Sequence, residues 1–379
     1  MGVVDYNLIN IEQTHSLPRD NIFDLRVRLL MMLGSMPSFT TCIIKNNSIA
    51  WSKSYGFSNI KCREKASRDT IYMTGSITKP FIATALLQLY EQGLFDLDDD
   101  VNDYLPFSLR NPKYPNSNIT FRMLLSHHSS ISDHTLLNWW EYNIYFKSFP
   151  VPEDSYPWLE DILVPGGKFY NPKVWNNYPP GENGNYSNVG FILLGYLLEQ
   201  LTNQSFEQYC QDNILTPLQM MNTSFHPDTL DKDRLATPYV RILRFYIPLR
   251  HYDYNYVTAA GGIRSTLEDL SHFLLAHMNS GEYNGVRILE EDTIELMHTI
   301  QYPNSRYGLG WIVNSNDDGR TREGHTGGAP GGTALMIMST SENIGVIFFI
   351  NYYRDFYHPL EAFAWSNLKQ MLFQKANEL

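Results

Sequence analysis

The sequence has few cysteines, no long apolar run and no excess of basic residues, and each shortage excludes a class of protein. Its three cysteines, Cys42, Cys62 and Cys210, are widely spaced and odd in number, so they form no disulfide framework and no metal-ligand pattern. No stretch approaches the roughly 18 uncharged apolar residues of a transmembrane helix. A formal charge of -11 argues against nucleic-acid binding and against anchoring on anionic lipid.

The residues 1–20 lack the pattern of a targeting signal. They contain no basic segment followed by an apolar one, as a secretory signal would. Tyr6 occupies the position where a myristoylation motif requires serine or threonine. We therefore expect a reduced, cytoplasmic protein that binds neither nucleic acid nor membrane.

Strand patterns lie near both ends of the chain, and helical patterns fill the middle. Strands are predicted around a turn at 45–48 within 39–59, and again over 307–314, 321–326, 332–340 and 344–352. Apolar residues at helical spacing predict helices over 20–34, 76–93, 120–126, 187–202, 205–213, 266–279, 290–300 and 356–375.

This order predicts an α+β (α/β-α) fold in one unit over residues 1–379. An antiparallel sheet is expected to form from both termini (18–62 and 305–379), with the terminal helices over one face. A mostly helical subdomain (63–304) is inserted into it. The segment 134–185 is rich in tryptophan, tyrosine and proline, and such a long loop is typical of a binding-site wall or a lid.

Ser76 and Lys79 stand three residues apart at the start of the predicted helix 76–93. Residues three apart share one face of a helix. Lysine has an ordinary pKa of about 10.4, and burial or a neighbouring positive charge lowers it enough for lysine to accept a proton from serine. The motif alone is weak, and the alternative is that Ser76 caps the helix and Lys79 is a solvated charge.

Tyr186 and Asn188 immediately precede a strongly apolar predicted helix. A tyrosine there can shuttle protons if a nearby cation lowers its pKa. The amide of Asn188 can hold the Lys79 ammonium group and a substrate carbonyl at once, because it has both donors and an acceptor. The alternative is that Ser187 is a helix cap and Tyr186 a packed aromatic residue.

The stretch HTGG at 325–328 lies between two predicted strands. Glycines in a strand let another backbone approach closely. The backbone N–H of Gly328 could then join that of Ser76 in an oxyanion hole. The alternative is a glycine-rich turn with a surface histidine.

Together, Ser-x-x-Lys at 76–79, Tyr-x-Asn at 186–188 and His-Thr-Gly at 325–327 resemble the serine β-lactamase and penicillin-binding-protein superfamily. The order and spacing are most similar to its class C β-lactamase-like branch of D,D-peptidases and esterases. Other similar segments are FDLDDDVNDYLP (95–106), ITFRMLLSHHSSISD (119–133), ILTPLQMMNTSF (214–225), AAGGIRSTLEDLSHFLLA (259–276) and YGLGW (307–311). The resemblance extends from about residue 20 to residue 375.

The resemblance implies an active site at the junction of the two subdomains and a reaction that needs no metal and no organic cofactor. It implies an acyl-enzyme that water then hydrolyses. The implied roles are Ser76 as nucleophile, Lys79 as its proton acceptor or the tuner of one, Tyr186 as general base or acid, Asn188 as the group orienting Lys79 and the substrate, His325, Thr326 and Gly327 as substrate-binding residues, and the backbone N–H groups of Ser76 and Gly328 as the oxyanion hole.

Gln219 and Asn203 replace family glycines in loops, and two further departures from the family pattern lie in the motif segments. His325 stands where many members have lysine, and an imidazole with an ordinary pKa of about 6.5 has a conditional positive charge at neutral pH. If protonated His325 holds a substrate carboxylate, kcat/KM should fall above about pH 7, and His325→Lys should flatten that fall. Ser130 stands where glycine is usual, and His127 is interpreted as a structural residue near the subdomain junction.

These residues predict a serine hydrolase that cleaves amide or ester bonds of small peptides or acyl compounds. The alternative is a non-catalytic peptide- or ligand-binding member of the same fold, and a β-lactam-hydrolysing enzyme is a narrower possibility within the first class. Intact Ser76 and Lys79 favour catalysis, because a costly polar site persists only when it is useful. An apolar wall for the acyl group is expected from four tryptophans: Trp139, Trp140, Trp158 and Trp175.

Overall fold

An antiparallel sheet forms the centre of the protein. The structure is a computed structural model that describes residues 19–134, 157–243, 245–251, 257–315, 320–353 and 358–379. Within them, seven strands form the main sheet in the order β10-β11-β12-β13-β1-β2-β3, and β4 pairs with β7, β5 with β6 and β8 with β9. The strands are Ser38–Lys45 (β1), Ser48–Asn59 (β2), Glu64–Lys65 (β3), Tyr72–Met73 (β4), Tyr239–Ile242 (β5), Phe245–Pro248 (β6), Arg264–Ser265 (β7), Glu282–Tyr283 (β8), Val286–Arg287 (β9), Ile312–Ser315 (β10), Thr321–Ala329 (β11), Gly332–Ser339 (β12) and Ile344–Ile350 (β13).

Strands from the two ends of the chain meet in the middle of this sheet. β1 pairs with β13 from Thr40 opposite Phe349 to the end of β1. Asn46 and Asn47 then turn the chain into β2 with φ angles of 53° and 60°. Asparagine tolerates this left-handed conformation, so the turn forms where the sequence predicts it. The predicted antiparallel sheet built from both termini is confirmed.

Helices cover both faces of the sheet. In the described residues the helices are Arg19–Leu33 (α1), Thr78–Glu91 (α2), Phe121–Leu125 (α3), Pro157–Leu163 (α4), Asn188–Thr202 (α5), Phe206–Cys210 (α6), Thr258–Gly261 (α7), Leu267–Met278 (α8), Glu291–His298 (α9) and Pro359–Glu378 (α10). As predicted, the terminal helices α1 and α10 pack on one face, where Phe39, Phe348 and Leu368 are fully buried. On the other face Cys42 and Phe349 join the larger core, which includes α2, α5 and α8.

The predicted strand 307–314 begins too early. Regular pairing starts at Ile312, and an isolated bridge joins Tyr307 to that residue. Gly310 has a φ of 75°, and a Cβ there would lie 2.4 Å from the Cβ of Ala83 on α2. A turn packed closely against a helix therefore replaces the first part of the strand.

Two predicted helices have different ends from those expected. The predicted helix 76–93 starts as a 3-10 turn over Gly75–Ile77 before α2 begins. The predicted helix 205–213 continues from α6 into a π-helical turn over Gln211–Leu215, whose wider turn keeps both Ile214 and Leu215 fully buried. No helix in the described ranges combines the length and apolar character that crossing a membrane requires.

The aromatic-rich segment 134–185 is described only in part. Trp139, Trp140 and the side chain of Trp158 lie outside the described residues. Trp175 is buried, and its Nε1 donates to the carbonyl oxygen of Leu163 at 3.1 Å. Because this ring packs inside the core, the prediction that Trp175 lines a binding-site wall is wrong.

Candidate active site

Ser76 lies in a short turn between a buried strand and a buried helix. Strand β4 leads into the 3-10 turn Gly75–Ile77, and α2 follows directly. The N-cap of α2 is Ile77, and no side chain caps this helix. The alternative that Ser76 is a helix cap is therefore wrong. The half-buried Ser76 hydroxyl instead bonds to Lys79 and Tyr186.

Lys79 is fully buried, which excludes the alternative of a solvated charge. Its Nζ lies 3.1 Å from Oγ of Ser76, 2.7 Å from Oδ1 of Asn188 and 2.6 Å from the carbonyl oxygen of Ala260. Burial lowers the pKa of Lys79 to about 7, while the negative charge of Asp133 acts in the opposite direction. A neutral amine has two N–H groups for Asn188 and Ala260 and one lone pair for the serine hydroxyl. This geometry suits proton transfer from Ser76 to Lys79.

Tyr186 is a half-buried phenol in contact with both groups. Its hydroxyl forms a hydrogen bond with Ser76, and the centroid of its ring lies 4.9 Å from Nζ of Lys79. The expectation that a cation lowers the pKa of Tyr186 is wrong, because burial raises that pKa far above its ordinary value. Tyr186 therefore keeps its proton and suits proton donation. Ser187 is the helix cap of α5, and its Oγ accepts the N–H of Gly190 at 3.0 Å.

Asp133 is a site residue that the sequence analysis missed. Its carboxylate accepts the Nδ2–H of Asn188 at 2.7 Å, on the first residue of α5. Ala260 was missed too, because a backbone carbonyl has no sequence signal. Asp133 is the last residue of the family-like segment ITFRMLLSHHSSISD (119–133). Its place in that segment is the sequence signal that could have identified it.

Strand β11 brings two glycines against the serine turn. A Cβ on Gly327 would lie 1.7 Å from the carbonyl oxygen of Thr74 and 3.2 Å from the backbone nitrogen of Ser76. A Cβ on Gly75 would lie 2.8 Å from the backbone nitrogen of Gly328. A side chain at either position would prevent this close approach of the two backbones. The backbones that carry the amides of Ser76 and Gly328 are thus in close contact.

His325 is buried on β11 and is neutral at neutral pH. Its Nδ1 lies 2.7 Å from the backbone carbonyl oxygen of the half-buried Thr326. A carbonyl oxygen can only accept a hydrogen bond, so Nδ1 carries the proton. Burial, and to a smaller extent the charge of Lys79, lowers the pKa of His325 to about 3. Nε2 is buried with no hydrogen-bond partner within the described part of the chain. The expectation that the His325 imidazole has a conditional positive charge at neutral pH is therefore wrong. The neutral ring offers an acceptor nitrogen instead.

His127 supports the segment that carries Tyr186. It is buried with a φ of 62°, and its Nδ1 accepts the N–H of Ser187 at 3.1 Å. The centroid of its ring lies 4.4 Å from that of Tyr186. Burial lowers the pKa of His127 well below its ordinary value, so the ring is a neutral structural element, as predicted. Among the residues that the structure describes, no group of three or more His, Cys, Asp or Glu is arranged to hold a metal ion.

Comparisons with known proteins agree with this fold. A family model described as Beta-lactamase matches residues 23–364. Protein flp of Staphylococcus aureus (strain MW2) is 28% identical over 325 residues, which cover 84% of this chain. The chain spans about 60% of the length of that curated relative. Penicillin-binding protein 4* of Bacillus subtilis (strain 168) is 24% identical over 351 residues, covering 86% of this chain and 71% of that protein.

A solved structure extends the comparison to three dimensions. The octameric penicillin-binding protein homologue from Pyrococcus abyssi superposes with a TM-score of 0.76 at 27% sequence identity. The match covers 92% of this chain and 77% of that chain. The predicted α+β class, with an antiparallel sheet and an inserted helical part, is therefore confirmed.

Proposed function

Since this chain belongs to the Beta-lactamase family, we propose that it is a serine hydrolase that cleaves amide or ester bonds of small peptides or acyl compounds. The observation that carries the proposal is the position of Lys79. This lysine is fully buried, and its Nζ lies 3.1 Å from Oγ of Ser76. Burial of a lysine costs free energy, and that cost supports a chemical role over the alternative of a non-catalytic binding protein.

In the proposed reaction, Oγ of Ser76 attacks the substrate carbonyl carbon while its proton passes to the neutral Nζ of Lys79. The new C–O bond leaves a negative charge on the carbonyl oxygen, which the N–H groups of Ser76 and Gly328 stabilise. The intermediate then breaks its bond to the amine or alcohol, which takes the proton from Lys79 through Tyr186. Water attacks the acyl-enzyme in turn, releases the acid and restores the serine hydroxyl.

The neutral state of His325 supports substrates that do not depend on a carboxylate at this position. A carboxylate has no proton to donate to the unpaired Nε2, whereas an amide N–H, a hydroxyl or an ammonium group has one. We assign His325, Thr326 and Gly327 to binding of such a polar group, and Asn188, at the start of α5, to orienting the substrate.

Incubation with a fluorophosphonate probe tests the proposal. Intact-protein mass should show one probe per chain, and peptide mapping should place it on Ser76. Protein unfolded in denaturant should give no adduct, because the reactivity of Ser76 depends on the buried lysine. Turnover of ester, D-amino-acid peptide and β-lactam panels would then define the substrate class. If the folded protein forms no adduct, the non-catalytic alternative replaces the proposal.

The pKa of Lys79 predicts how activity depends on pH. Only the neutral amine accepts the serine proton, so kcat/KM for a neutral ester should rise with pH through about 7 and then level off. His325, with its pKa of about 3, stays neutral over this range and causes no fall above pH 7. Kinetics of wild type and His325→Gln, whose side chain does not titrate, should give the same pH profile. A fall above pH 7 on carboxylated substrates, removed by His325→Lys, would restore the cationic role and contradict this prediction.

A further inference from the structure

Asp133 accepts four hydrogen bonds from the start of α5. Its Oδ2 accepts the backbone N–H of Asn188 at 2.8 Å and the Nδ2–H of the same residue at 2.7 Å. Its Oδ1 accepts the N–H of Val189 at 3.0 Å and the hydroxyl of Ser187 at 3.2 Å. The carboxylate is buried, so these four donors replace the water that it would bind in solution.

We propose that Asp133 is a positioning residue for acyl transfer: by binding Nδ2 of Asn188 it turns Oδ1 of that side chain toward Lys79, and so holds the lysine nitrogen beside Ser76. This inference rests on the proposed function and deepens it. Asp133 acts through Asn188 and not on the substrate.

The two ends of the Asn188 amide explain why a carboxylate is needed. An ionised carboxylate only accepts hydrogen bonds, so it binds the Nδ2 end and leaves the Oδ1 end for Lys79. Nζ of Lys79 lies 2.7 Å from that Oδ1. Without the carboxylate, the amide can turn its donor end toward the lysine, where an Nδ2–H would donate to the lone pair of the neutral amine. The lone pair of Lys79 would then lose its direction toward Ser76.

The charge of Asp133 also acts on Lys79. Burial lowers the pKa of Lys79, and the negative charge of Asp133 raises it by a smaller amount. The other titratable groups around this lysine are neutral: burial raises the pKa of Tyr186, and burial lowers the pKa values of His127 and His325. Arg306 is a further cation whose charge acts on these two histidines. Loss of the Asp133 charge should therefore be visible in the titration of Lys79.

Two measurements on Asp133→Asn test the proposal. The first is the pH titration of Lys79 by NMR of protein labelled with 13Cε-lysine, assigned with Lys79→Ala. The second is the rate of acylation by a fluorophosphonate at the pH plateau. We expect the titration midpoint of Lys79 to fall by roughly one pH unit and the acylation rate to fall at least about tenfold.

Asp269→Asn is the matched control for loss of a buried carboxylate. Asp269 is also buried and accepts the backbone N–H of Asn222 at 2.6 Å and the hydroxyl of Thr223 at 2.9 Å. This variant should lose thermal stability as Asp133→Asn does, because both leave buried donors poorly paired. It should leave the Lys79 midpoint and the acylation rate unchanged.

Asp133→Glu keeps the charge but moves the carboxylate by one methylene. In this variant the titration midpoint of Lys79 should stay close to that of wild type while the acylation rate falls. If Asp133→Asn does not fold, the acylation rate of Asp133→Glu decides the question. The proposal is overturned if the Asp133 variants keep both the wild-type titration midpoint of Lys79 and the wild-type acylation rate. Asp133 would then act only as a cap that binds the N–H groups at the start of α5. If the wild-type protein is not acylated at all, the proposed function fails, and the NMR titration still decides whether Asp133 acts on Lys79.

Discussion

Ser76→Ala and Lys79→Met are each expected to slow acylation by at least about 10³-fold, and the double variant is expected to be no slower than either single variant. The loss corresponds to about 4 kcal/mol of activation free energy. The two groups act as one unit, because the Ser76 hydroxyl needs the Lys79 amine, 3.1 Å away, to remove its proton. In the proposed reaction the amine does not contact the substrate directly. Methionine suits the comparison, since Lys79 is fully buried and an unbranched apolar side chain fills its space.

The rates of fluorophosphonate labelling and ester hydrolysis measure this loss. Ser271→Ala is the control for removal of a buried hydroxyl, because Oγ of Ser271 donates to the carbonyl oxygen of Glu268 on α8 and to no group of the site. It should keep the wild-type rates. Labelling that survives in Ser76→Ala would place the nucleophile elsewhere. A double variant much slower than both single variants would show that the two groups act independently.

Gly327→Ala is expected to reduce kcat/KM by about 10²-fold or more and to lower Tm. The added Cβ would lie 1.7 Å from the carbonyl oxygen of Thr74, so β11 and the serine turn must move apart. A displacement of about 1 Å at reacting groups costs roughly 10²-fold in rate, and loss of one oxyanion-hole donor costs about as much. The separation would affect Gly328 and Ser76 together.

Kinetics and thermal unfolding of Gly93→Ala provide the control for a glycine-to-alanine change that lowers stability away from the site. Gly93 has a φ of 73°, and a Cβ there would meet nothing within 4 Å. Alanine at this position should cost about 1 kcal/mol of folding free energy and leave kcat/KM unchanged. Wild-type kcat/KM in Gly327→Ala would show that the close contact between β11 and the serine turn has no part in catalysis.

Local geometry explains which site contacts were predictable. The contact between Ser76 and Lys79 follows from their spacing on one helical turn, so the sequence alone suggests it. Asn188 is 109 positions from Lys79. Its amide chemistry made it a candidate to hold this lysine, and the family resemblance then implied the orienting role. Asp133 and Ala260 were not predicted, because only packing of separate segments brings them to the lysine.

Burial explains why charge at the site was harder to predict. The ring centroids of Tyr186 and His325 lie 6.0 Å apart, yet the protonation states expected of these two residues were wrong. Desolvation raises the pKa of Tyr186 and lowers that of His325, and no sequence pattern shows how completely either ring is enclosed. Backbone conformation explains the departure at Ser130. Its φ of 65° is the reason that glycine is usual at this position. The serine hydroxyl stabilises the turn by donating to the carbonyl oxygen of Tyr178 at 2.7 Å.

The pairing of β1 with β13 has a consequence for biosynthesis. Ser38 at the start of β1 donates to Asn351, just after β13, at 2.6 Å across 313 positions of the chain. On a ribosome the β1–β2 hairpin therefore emerges long before β13, and one apolar edge of the hairpin stays unpaired while the intervening residues are made. Such an edge is a site for misassociation with other chains, and pairing over so long a separation is slow. The nascent protein is thus prone to aggregate throughout this interval, and a chaperone that covers this edge would protect it.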